Sequence, residues 1–273
     1  FVFSKDSAEI DYDNSVKKEA LIKVIKENGF RASEEPFERK TLKERFRELK
    51  ENKKKYSIEI SALKYAVASF FIIILIETIA YFGFFRTIPN FLSKYIWWLF
   101  YLNITISTLG ASLWHFFAYK TKVTCMLGMM VGMAFGMQTG MMLGTVIGAT
   151  NGFFIGAMTG MIIGVIAGIL TGKCCGVMGI MQGMMAGIMG GTMGPMISLM
   201  MFSDNILLFM PFYMLINVAI MAGYIYMMFE EAAEGKDVKK VPLDFLTFVS
   251  ASIIISAAFM VLMLYGPKSF LVR

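Results

Sequence analysis

Three cysteines, one histidine and a surplus of methionine are the residues of this chain that could do soft-metal chemistry. The cysteines are Cys125, Cys174 and Cys175, and the histidine is His115. Thiolate, imidazole and thioether together make a donor set suited to Cu(I), the expected metal. The chain carries 25 methionines. Two ladders of them recur at four-residue spacing: Met129, Met133, Met137 and Met141, then Met181, Met185, Met189 and Met193. Met126 adjoins Cys125, and Met178 follows Cys175 closely. Neutral thioethers can pass a soft cation along without trapping it. Methionine is also a flexible filler of gaps between crowded helices, and packing is the plainer reading of the ladders. Cysteines at helix ends can be plain small residues, and His115 an interfacial polar tip. An odd count with a vicinal pair does not read as a disulfide framework, so the cysteines are expected as reduced thiols.

Other chemistry is missing from the sequence. There is no Asp-Lys-Thr-Gly phosphorylation loop, and Gly168–Lys173 misses the phosphate-loop spacing. No Ser-His-Asp or paired-carboxylate constellation is visible, so no enzyme is expected. Glu77 is the one charge deep in an apolar run, a candidate proton or cation group or the partner of a polar neighbour.

The elements that must position these residues are membrane helices. Of 273 residues, 57% are apolar, and the mean hydropathy is +0.63. A soluble domain of this length cannot hide so much apolar surface. Most of the 26 Lys and Arg precede residue 56, which separates a basic head from an apolar body. A net charge of +6 beside a membrane is explained by anionic headgroups and calls for no nucleic acid. Apolar runs place spans near 58–85, 95–118, 123–148, 152–171, 176–202, 206–229 and 243–265. Trp97, Trp98 and Trp114 fall near span ends, as an aromatic belt predicts. With the N-terminus cytoplasmic, Lys120, Lys122, Lys173, Lys236, Lys239 and Lys240 share its side, as do all three cysteines and His115.

Glycine recurs every fourth residue from Gly128 to Gly176 and, after a shift of three, from Gly179 to Gly191. As one straight helix, 128–176 would run about 70 Å, so it must fold back. Asn151 marks one turn and Gly172–Gly176 the other. Small residues four apart let helix backbones touch, so the third, fourth and fifth spans are expected to pack as one unit. The methionine ladders are expected beside these interfaces. Gln138 and Gln182 need polar partners there.

Residues 7–13 alternate like a strand, 16–28 carry a helical apolar stripe closed by Gly29, and Phe30 opens another strand. The string Glu9-Ile-Asp-Tyr-Asp13, the helix ending Ile25-Lys-Glu-Asn-Gly-Phe30, and Arg31-Ala32 resemble the second half of a heavy-metal-associated domain, the module of copper chaperones. The resemblance covers about a tenth of the chain and implies a partial ferredoxin-like α+β domain over 1–35. That family binds metal through a Cys-x-x-Cys pair, which no position here matches. The chain is therefore expected to begin in mid-domain, with the pair upstream of Phe1 or lost. Residues 36–57 form a basic juxtamembrane segment, amphipathic over 36–56. Residues 58–273 form the all-α polytopic membrane domain.

The resulting expectation is a membrane protein, of a prokaryotic plasma membrane, that binds or translocates Cu(I). Its partners would be the lipid bilayer, a metallochaperone or metal-handling membrane complex, and further copies of itself. The alternatives are a non-transporting scaffold or accessory subunit, and a glycine-zipper oligomeric channel.

Overall fold

The computed structural model describes residues 2–4, 7–9, 18–27, 57–83, 86, 91–120, 125–201, 204–230, 239–240 and 244–268. Near the N-terminus, β1 (Val2–Ser4) pairs antiparallel with β2 (Ser7–Glu9), Val2 opposite Glu9, and α1 (Lys18–Glu27) follows. The strand expected over 7–13 is present at Ser7–Glu9, with a partner strand that the sequence reading did not foresee. The strand expected from Phe30 and the amphipathic helix over 36–56 lie outside the described residues.

Long apolar helices make up the body: α2 (Ser57–Gly83), α3 (Phe91–Ala118), α4 (Cys125–Asn151), α5 (Phe153–Gly172), α6 (Gly176–Met200), α7 (Ile206–Met228) and α8 (Phe245–Tyr265). The shortest has 20 residues, about 30 Å, which is enough to cross a bilayer core. Phe153–Met200 would count as a single apolar stretch of 48 residues. The 3-10 turn Lys173–Cys175 and Gly176, at φ 67°, fold it into α5 and α6. A positive φ is open to glycine at no steric cost. Gly152, at φ 91°, does the same between α4 and α5.

The helices alternate in direction, so each end of the body collects alternate loops. At one end β3 (Tyr119–Lys120) pairs with β4 (Lys239–Lys240), joining the segment after α3 to the one before α8. The disulfide described below lies at this end. At the other, Asn151 closes α4 and clasps α8: its Nδ2 donates to Leu262 O and Pro267 O, both at 3.0 Å. Thr150 Oγ1 donates to Asn151 Oδ1 at 2.8 Å, which fixes the amide's orientation. The expected turn at Asn151 is thus also a tie between distant helices.

Two kinds of packing meet along α4. On one side α4, α5 and α6 touch backbone to backbone through their glycines. On the other, α4 presents Val131, Phe135, Met142, Val146 and Ile147, all fully buried, to a core of large side chains from α3, α7 and α8. Phe135 meets Tyr224 of α7 edge to face, with centroids 4.9 Å apart. Trp98 and Trp114 are buried in helix interfaces; only Trp97 of the three tryptophans faces outward. The belt reading is corrected for the other two, because α3 is a central helix whose large rings fill the core.

Candidate functional site

The glycine ladder sets the positions of the cysteines. Gly132, Gly172 and Gly179 form one layer of the α4–α6 bundle, and Gly136, Gly164 and Gly187 a deeper one. A Cβ added at Gly140 would lie 2.5 Å from Gly191 N, and one at Gly168 would lie 2.3 Å from Gly183 O. Such contacts leave no room between the backbones for any side chain. At the Asn151 end the glycine of α6 gives way to Pro195, whose ring and Cα sit against Gly148. At the opposite end the turn Lys173–Cys175 seats on Gly128, where a Cβ would come within 2.8 Å of Cys174 Sγ and 3.2 Å of Cys175 Cβ. Gly128 therefore lets the turn reach the first residues of α4.

The result is contact between residues 50 apart in sequence. Cys125, the first residue of α4, is joined to Cys175 by a disulfide, with Cα atoms 4.9 Å apart, within the range for such bonds. The expectation of three reduced thiols is corrected at these two positions. It failed because sequence spacing does not show the turn folding back onto α4. Cys174 remains a free, exposed thiol, its Sγ 3.4 Å from Thr171 O.

The methionines lie elsewhere than expected. Met181, Met185, Met189 and Met193 stand on the outer face of α6, each about half exposed. Met126 and Met178 are exposed near the cysteine end, and Met133 is 47% exposed. Met129, Met137 and Met141 are partly covered at the edge of the seam, where Gly190 and Gly194 of α6 press on the backbones of Met137 and Met141. The expectation that both ladders border the helix interfaces is therefore corrected for α6. Gln138 is buried, with its Oε1 lacking a partner among the described residues, while Gln182 is exposed.

His115 is committed to other residues. It is fully buried, with Nε2 3.4 Å from Glu59 Oε1, and Tyr119 packs edge to face on its ring. The Tyr119 hydroxyl donates to the same Glu59 oxygen. Burial, then the neighbouring carboxylate, pushes the Tyr119 phenol well above its usual range, so it stays a donor. The sequence reading did not pair Glu59 with His115. A carboxylate near the start of an apolar helix and the chain's single histidine were the available signal.

Among the described residues, no group of three His, Cys, Asp or Glu side chains converges so as to hold a metal. No protein-family model, curated protein or solved structure matches the chain.

Proposed function

We propose that the chain handles a soft monovalent metal, Cu(I) first, at the reduced form of the cysteine cluster. The observation that carries this reading is the meeting of Cys125 with the Cys174–Cys175 turn across 50 residues. Two-electron reduction of the disulfide by a cellular thiol adds two protons and leaves three thiols on one bundle end. Thiolates dominate affinity for soft metals because they carry charge. Basic loops at the same end, Lys120 and Lys173 with Lys239 and Lys240, favour placing it in the cytoplasm, where thiols are kept reduced. The exposed methionine face of α6 would then serve as a weak transfer surface on the outside of the bundle.

A second reading is a scaffold in which the disulfide is structural and glycine and methionine serve packing alone. The bond between Cys125 and Cys175 and the separate engagement of His115 favour it. A Cu(I) competition titration on reduced protein separates the two. The metal reading expects tight 1:1 binding that disappears when all three cysteines become Ser. Equal affinity in the triple Ser variant, or no binding in the reduced wild type, leaves the scaffold.

A further inference from the structure

Away from the cysteines, α2 and α8 enclose a cavity of about 370 Å³. Ile73, Glu77 and Ala80 of α2 and Ser256, Ala257 and Met260 of α8 line most of it. Its rim is open to the membrane: Val261 is 56% and Tyr265 82% exposed. The volume lies in the range of small-molecule sites, and the walls are apolar apart from one carboxyl and two hydroxyls.

That carboxyl is held in a defined way. Asn103 of α3, fully buried, donates from Nδ2 to Glu77 Oε2 at 2.7 Å. Ser256 Oγ donates to Asn103 Oδ1 at 3.4 Å, which orients the amide. Glu77 Oε1, by contrast, is buried with no hydrogen-bond partner among the described residues. One oxygen is anchored while its twin is left for something else. Among the described residues, no Lys, Arg or His lines the cavity. A charge at this depth is costly unless paired, and none of the described residues places a cation there.

We propose that this cavity is a lateral binding site for a lipophilic amine, with Glu77 as its counter-ion. The ammonium would donate to Oε1 while its apolar body lies along Ile73 and Met260. A fatty acid would set carboxylate against carboxylate. An alcohol would leave the charge of Glu77 unneutralised. A bare metal cation would find one free carboxylate oxygen where hard cations need six or more oxygens. The inference is independent of the cysteine chemistry, since the two sites share no residue.

The test is saturation binding of radiolabelled dodecylamine to the full chain in phosphatidylcholine nanodiscs, with dodecanol and dodecanoate as competitors. The expected result is one saturable site. Unlabelled dodecylamine should compete at least about tenfold better than dodecanol, and dodecanoate not at all. Glu77→Gln keeps the Asn103 contact available but removes the charge, and should weaken binding at least about tenfold. Ala257→Phe fills the cavity while leaving Glu77 in place, and should abolish binding even if Glu77→Gln misfolds. Wild-type affinity in either folded variant, equal competition by all three probes, or no saturable binding would overturn the proposal.

Discussion

Along most of the seam between α4, α5 and α6 the backbones touch directly through glycine, with Pro195 and Ser198 taking over near Gly148, whereas around α3, α7 and α8 large side chains separate the backbones. Both arrangements must work where lipid tails are as apolar as leucine, so neither can rely on expelling water. The glycine bundle gains from close backbone contact: dispersion along whole turns and weak Cα–H···O bonds. The other region gains from ring and chain interdigitation, as where Phe135 of α4 meets Tyr224 of α7. The first is therefore vulnerable to added atoms and the second to removed ones. Helix α4 belongs to both, with glycine on one side and Phe135, Met142 and Ile147 on the other.

The largest effect should come from adding bulk to the glycine bundle. At Gly168 even a methyl carbon would sit 2.3 Å from the carbonyl oxygen of Gly183, an atom that cannot rotate away. Gly168→Leu should cost more than about 4 kcal/mol and separate α5 from α6. Thermal unfolding in a mild detergent would read this as loss of a cooperative transition; a wild-type transition would mean that the seam does not hold the bundle together. In the side-chain region the matching experiment runs the other way. Leu102 of α3 is fully buried, and Leu102→Ala should cost about 2–5 kcal/mol through the cavity it leaves. A loss under about 1 kcal/mol would show that this core can collapse, and the contrast would weaken.

The clasp at Asn151 tests whether the two regions are tied beyond their shared helix. Its amide donates to two carbonyls at the end of α8, Leu262 O, which also accepts from Gly266 N at 2.9 Å, and Pro267 O. Asn151→Ala should cost about 1–3 kcal/mol. Hydrogen exchange should rise at the Asn151 end of α8 and stay unchanged near the cysteines. Uniform exchange through both helices would instead make Asn151 a simple turn residue.

Much of this architecture is legible in the sequence. Runs of apolar residues mark all seven long helices to within a few residues, and the 70 Å reach of an unbroken ladder forces the fold-back at Asn151 and Gly176. The facing of methionine is legible too. One residue is 100° around a helix, so Met129, one step after Gly128, stands at the edge of the seam. Met181 is two steps after Gly179, about 200° away, and must face outward. What spacing cannot supply is contact between separate elements. The Cys125–Cys175 bond depends on the turn docking at Gly128, the Glu59–His115 pair on α2 lying against α3, and the Asn103 anchor of Glu77 on the same contact.

The smallest predicted effect has the opposite sign and isolates the reason glycine is present. Gly223 of α7 is exposed, and a Cβ there would meet nothing within 4 Å among the described residues. It lies mid-helix, where glycine costs roughly 0.5–1 kcal/mol relative to alanine through the extra freedom of the unfolded backbone. Gly223→Ala should therefore stabilise the protein by about that amount. Gly140→Ala adds the same single methyl group to α4 and gains the same backbone term, but it drives a carbon to 2.5 Å from Gly191 N. There the steric cost dominates, and a net loss of about 1–3 kcal/mol is expected. Measured side by side by thermal unfolding, the pair removes propensity from the comparison, because both changes are glycine to alanine within a long apolar helix. Opposite signs would assign the ladder to contact between backbones. Equal stabilisation at both sites would mean that glycine in α4 serves no packing purpose, and the division of the molecule into two packing regimes would fail with it.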